Sequence, residues 1–142
     1  MRYKSFPSQI EGSVEIPASK SHTIRGLLLA SLASGWSRLE NPLDSGDTRA
    51  AVRLAAALGA GVEADGTSLL VEGSGLPPRC SSDSVDLANS GTSLYLGMAV
   101  VALGERPLLM DGDAQLRART AAPLVSALRQ LGAEVTEADG AG

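Results

Sequence analysis

Three segments of this chain place polar residues at spacings suited to holding anions. The first is Ser19-Lys20-Ser21-His22-Thr23-Ile24-Arg25, which opens an apolar-periodic stretch. A helix N-terminus carries a partial positive charge, so Lys20 in a first turn is locally unfavourable by about 0.3–1 kcal/mol. A bound anion reverses that sign, because the free backbone N–H groups and the ammonium then share one partner. Ser21 and Arg25 are four apart and fall on one helix face. The same residues also fit an ordinary solvated helix start.

The second segment, Asn89-Ser90-Gly91-Thr92, pairs good capping residues with a glycine that lets a ligand approach the backbone. A plain cap with a tight turn fits it equally. The third is Asp111-Gly112-Asp113-Ala114-Gln115-Leu116-Arg117-Ala118-Arg119-Thr120. Pro123 is tolerated in a first helical turn but not in an interior, which starts the next helix near Ala121 with Thr120 as its cap. Arg117 and Arg119 then lie in the connecting segment, where a guanidinium suits a carboxylate or phosphate and also suits solvent. A fourth polar start, Asp44-Ser45-Gly46-Asp47-Thr48, reads as structural, with Asp47 as the cap.

Other chemistries find little support. His22 is the only histidine and has no triad or metal-ligand set around it; it reads as a surface helix residue. Cys80 is the only cysteine, so no internal disulfide forms, and a reducing, cytoplasmic compartment fits. Trp36 and Tyr95 read as packing residues. No zinc-type Cys/His spacing, phosphate-binding P-loop or GxGxxG motif is present. The formal net charge of −4 argues against nucleic acid or acidic membranes as partners. No signal-peptide core opens the chain, and no apolar run approaches the roughly 18 residues of a membrane span.

The elements that must position these segments are short strands alternating with helices. Hydrophobic residues make up 44 % of the 142 and aromatics only 3 %, so the core must be built from Ala, Leu and Val. Residues 3–7 and 12–16 read as two strands joined at Glu11-Gly12. A helix runs from Lys20 to about Ala33 behind a Ser19 cap, and a strand covers Ser37–Asn41. A helix from Thr48 to Leu58 precedes a hairpin of Val62–Ala64 and Ser68–Glu72 about Asp65-Gly66. Gly73–Asp83 reads as a loop.

The order then recurs about 70 residues later. A helix opens at Asn89–Thr92 and ends by Gly104, and a strand covers Pro107–Met110. A further helix ends in Leu131-Gly132-Ala133, as the earlier one ends in Leu58-Gly59-Ala60. A strand at Ala133–Glu137 leads to a turn at Asp139-Gly140 that echoes Asp65-Gly66. The pattern predicts an α/β fold of repeated units, with the second unit incomplete in this chain.

In order and spacing, the Ser19–Arg25 segment, Leu87-Ala88-Asn89-Ser90-Gly91-Thr92, and Asp111–Arg119 followed by Leu124–Ala133 resemble the 5-enolpyruvylshikimate-3-phosphate synthase family. The sibling family acting on UDP-N-acetylglucosamine, with Ala-Lys-Asn for Ser-Lys-Ser, is less similar. The resemblance implies transfer of the enolpyruvyl group of phosphoenolpyruvate to the 5-hydroxyl of shikimate 3-phosphate. It implies no metal or organic cofactor, and a monomeric enzyme of two domains, each of three βαβαββ units. Residues 1–15 would then belong with the second domain and 16–142 would form about two of three units. By position, Lys20 would contact both substrates, Ser21 and Arg25 shikimate 3-phosphate, and Gly91 and Arg119 phosphoenolpyruvate. The acid/base groups would lie beyond residue 142, leaving no catalytic residue within the chain and this piece alone inactive. The chain departs from the family at Tyr95 and Gln115, where arginines are usual. A non-catalytic phosphometabolite-binding module and an RNA-terminal cyclase relative are the readings from other classes.

Overall fold

A computed structural model describes residues 2–138. Helix α1 (Lys20–Leu32) is capped by Ser19, whose hydroxyl accepts from the His22 N–H. Strand β1 (Ser34–Glu40) follows, then helix α2 (Gly46–Ala57) and the hairpin β2 (Gly61–Asp65) and β3 (Ser68–Ser74). These strands form one antiparallel sheet in the order β1-β3-β2. Ser37, Leu39, Val62, Leu69 and Val71 share its inner face, as the period of two requires. Trp36 stands on the other face and is 59 % exposed, so it is not a packing residue.

The second unit opens with β4 (Ser84–Asp86), continues through helix α3 (Gly91–Val101), and pairs β4 in parallel with β5 (Leu109–Asp111). A four-residue helix α4 (Ala114–Arg117) and helix α5 (Ala122–Gln130) complete it. The β4-α3-β5 segment is thus a parallel crossover, for which a connecting helix is the usual solution. Strand β4 lies just past the predicted loop, and its three residues are too few to show a period.

Small side chains let the helices approach closely. Ile24, Leu27 and Leu28 of α1 and Ala50, Ala51, Leu54 and Ala55 of α2 are buried together with Val71 of β3. Gly97 of α3 meets α2 so closely that a methyl group there would stand 2.8 Å from Leu54 Cδ2. A second, smaller core joins Met98 of α3 to Val125 and Leu128 of α5.

Two expectations fail for one physical reason. Residues 3–7 and 12–16 carry no strand, and Tyr3, Phe6, Ile10, Val14 and Ile16 are all exposed. Residues 133–137 carry none either, and the turn expected at Asp139-Gly140 lies outside the described residues. A strand needs a partner to satisfy its backbone N–H and C=O groups. Neither segment pairs with any described strand.

Candidate functional site

The beginnings of α1 and α2 meet. Leu43 N–H donates to the Thr23 hydroxyl at 3.0 Å, which itself donates to the Ser19 carbonyl at 2.9 Å. Ser45, not Asp47, caps α2, in a reciprocal box with Thr48. The displaced carboxylate has another role. Asp47 lies in the first turn of α2, with its Oδ2 2.5 Å from Lys20 Nζ. Asp47 is favoured by the helix dipole, and it offsets the charge that the α1 dipole disfavours at Lys20.

Ser21 is half-buried and Arg25 exposed on the same helix. Neither side chain has a hydrogen-bond or ion-pair partner among the described residues. His22 is exposed, as expected.

The second group is built on two turns pinned together. Ala88 has a left-handed backbone, φ 48°, a costly conformation for a residue with a Cβ. It is held by its neighbours: Ala88 N–H donates to Asp86 Oδ1 at 2.8 Å, and Asp113 N–H donates to the Ala88 carbonyl at 2.9 Å. Gly112 permits this approach, because a Cβ there would run into the Ala88 carbonyl oxygen. Asp113 then caps α4 through the Leu116 N–H.

That arrangement brings Arg119 onto the start of α3. A methyl group on Gly91 would stand 2.5 Å from Arg119 Nη1. Arg119 Nη2 donates to Asn89 Oδ1 at 2.8 Å, and Asn89 Nδ2 donates to Gln115 Oε1. The Tyr95 hydroxyl donates to the Thr120 carbonyl at 3.3 Å. Gly91 N–H donates to the Asn89 carbonyl at 3.1 Å, a three-residue closure. Ser90 caps α3 through the Ser93 N–H.

Arg117 and Arg119 differ in kind. Arg117 lies within α4 rather than in a connection, and it binds Asp111 by two hydrogen bonds of 2.9 and 2.6 Å. This pairing, helped by the Gly112 N–H, holds the Asp111 carboxyl below its ordinary value of 3.8. Arg49 holds Asp44 low in the same way. Arg119 has no carboxylate partner among the described residues, so its charge stays available. Helix α5 begins one residue later than expected, with Ala121 at its cap position. Thr120 still accepts from the Ala122 N–H at 3.3 Å.

The structure joins Gly91 to Arg119. Lys20, Ser21 and Arg25 share the first two turns of α1, but Lys20 is paired with Asp47 of α2, and no hydrogen bond or ion pair joins the side chains of the three to one another among the described residues. No hydrogen bond or ion pair links the two groups among the described residues. The parts played by Asp47, Asn89 and Gln115 are absent from the sequence reading. Only the departure at residue 115 signals that the surroundings of Arg119 are unusual. Among the described residues, no group of three His, Cys, Asp or Glu is placed to hold a metal ion. No helix there is long and apolar enough to cross a membrane.

The chain is similar to known proteins. Residues 5–142 match the family model described as EPSP synthase (3-phosphoshikimate 1-carboxyvinyltransferase). The chain is 44 % identical over 134 residues to the 3-phosphoshikimate 1-carboxyvinyltransferase of Acetivibrio thermocellus, covering 94 % of itself and 32 % of that protein. It is 44 % identical over 129 residues to the enzyme of that name from Methanopyrus kandleri, covering 89 % and 30 %. The chain thus spans about a third of the length of these relatives. The solved EPSP synthase of Acinetobacter baumannii superposes with a TM-score of 0.81 at 24 % identity, over 92 % of this chain and 30 % of that one, and so shares the fold.

Proposed function

The chain belongs to the EPSP synthase family, and from that premise we propose that it forms part of an enzyme transferring the enolpyruvyl group of phosphoenolpyruvate to the 5-hydroxyl of shikimate 3-phosphate. The 5-oxygen gives up its proton and bonds to C2 of phosphoenolpyruvate while C3 takes up a proton. C3 then loses a proton as the bond from C2 to the phosphate oxygen breaks, and inorganic phosphate leaves, so that the net proton lost by the hydroxyl goes to the phosphate or the medium. The step serves the biosynthesis of aromatic amino acids.

In this reading Lys20 contacts both substrates, and Ser21 and Arg25 hold shikimate 3-phosphate. Arg119 and the Gly91 backbone hold phosphoenolpyruvate. The observation that carries the proposal is the seat of Arg119 against the Gly91 backbone, with its charge unpaired by any carboxylate among the described residues. The Gly91 N–H closes an inverse γ-turn about Ser90 (φ −83°, ψ 85°), and a ligand would take the place of the Asn89 carbonyl as its acceptor. Fixed cations and N–H groups lower the barrier where negative charge builds up on the way to the tetrahedral intermediate. In the same reading residues 1–15 belong to a second domain of the whole enzyme and 16–142 form about two of three repeated units. The five exposed apolar residues between Tyr3 and Ile16 fit a segment whose partner lies elsewhere. The whole enzyme is a cytoplasmic monomer.

The test is phosphate release by the whole protein supplied with both substrates. Release that requires shikimate 3-phosphate supports the assignment. Release that UDP-N-acetylglucosamine supports instead assigns the protein to the sibling reaction.

A further inference from the structure

We propose that Gln115 is a positioning residue for Arg119, acting through the side chain of Asn89 to hold the guanidinium over the Gly91 backbone for the anionic substrate. The inference rests on the reading of Arg119 as a phosphoenolpyruvate contact.

An asparagine amide has one accepting end and one donating end. Asn89 turns Oδ1 to Arg119 Nη2 at 2.8 Å and Nδ2 to Gln115 Oε1. Were the amide to turn over, its NH2 would face the guanidinium and two donors would oppose each other. Arg119 carries only donors, so the guanidinium fixes which end of the Asn89 amide faces it. Gln115 Oε1 then accepts from the Nδ2 that this orientation turns toward it, and so tethers Asn89 in the place that holds Arg119.

The backbone supports the same relay. Asn89 follows Ala88, which is tied on one side to Asp86 and on the other to Asp113. Gln115 rides on α4, capped by that same Asp113. The two ends of the relay thus sit on turns that are bonded to each other, so their separation is set by the fold. Gln115 is exposed, and its side chain bonds only to Asn89 among the described residues. It carries little of the packing, so changing it separates orientation from stability.

The experiment uses Gln115→Leu, which removes the acceptor at similar size, and Gln115→Glu, which keeps an acceptor. Two quantities are read: the NMR order parameter of the Arg119 Nε–H group in this chain, and KM for phosphoenolpyruvate against kcat in the whole protein. Gln115→Leu should lower the order parameter and raise KM by about 3- to 10-fold, as loss of a neutral amide–amide hydrogen bond allows, with kcat nearly unchanged. Gln115→Glu should leave both close to those of the unsubstituted protein. An ordered Arg119 and unaltered KM in Gln115→Leu would overturn the relay, as would a Gln115→Glu protein as impaired as the leucine variant. If the unsubstituted protein releases no phosphate, the proposed reaction fails. The order parameters of the two variants still decide whether the relay exists.

Discussion

Replacing Gly91 with alanine should weaken phosphoenolpyruvate binding while leaving the fold intact. The added methyl would lie 2.5 Å from Arg119 Nη1. Ordinary contact is about 3.5 Å, so the guanidinium must retreat by about 1 Å. That movement breaks the 2.8 Å bond from Arg119 Nη2 to Asn89. A misplacement of about 1 Å in a substrate-holding group costs up to about 10²-fold in rate. The backbone itself accepts alanine, because Gly91 is not among the positive-φ glycines and it opens a helix. The atom in the way is the end of a flexible side chain, so stability should shift by less than about 1 kcal/mol. Urea unfolding measures that shift, and steady-state phosphate release in the whole protein measures kcat/KM for phosphoenolpyruvate. An alanine variant with unchanged kcat/KM would refute the placement of Arg119 at the substrate. A variant that loses its cooperative unfolding would refute the claim that only a side-chain tip must move.

Gly73→Ala should behave in the opposite way, since its methyl would run into the carbonyl oxygens of Ala30 and Ala33; a loss of about 3 kcal/mol or more in urea unfolding is expected. Leu54→Ala, at a fully buried position, should cost about 2–5 kcal/mol in the same measurement. Lys20→Met in the whole protein should lower kcat/KM by about 10²-fold through loss of a charged contact, whereas His22→Ala should leave the kinetics near those of the parent. Because Arg117 depresses the Asp111 pKa in the fold, their pairing stabilises fully above the ordinary carboxylate value of 3.8 and is lost as pH falls through the depressed folded value. Acid unfolding of Asp111→Asn should therefore be less steep in pH than that of the parent chain.

Legibility in the sequence followed the range of the interactions involved. Helix α1 and its Ser19 cap were readable because capping and helical periodicity act within a few residues. The β2–β3 hairpin was readable through Asp65-Gly66 for the same reason. The sequence reading places the α2 cap at Asp47 rather than Ser45 because both residues suit a helix start; what separates them is local, the reciprocal box that Ser45 makes with Thr48 three residues on. The expected strands at 3–7, 12–16 and 133–137 depended on partners that local pattern does not reveal. Within the candidate site, Lys20, Gly91 and Arg119 stood out by type and by resemblance. The Asn89–Gln115 contact spans 26 positions and has no local signature. Arg117 and Arg119 were alike in sequence, and their different partners, Asp111 and Asn89, separate the two roles.

The central claim is tested most directly by direct detection of the product. The whole protein, incubated with phosphoenolpyruvate and shikimate 3-phosphate, should release one phosphate for each enolpyruvyl ether formed at the 5-oxygen, observable by phosphorus and proton NMR in the same tube. Arg119→Ala should depress both signals together by about 10²-fold, as loss of a charged transition-state contact requires. Phosphate released without the ether, or ether formed at an undiminished rate by Arg119→Ala, would contradict the assignment.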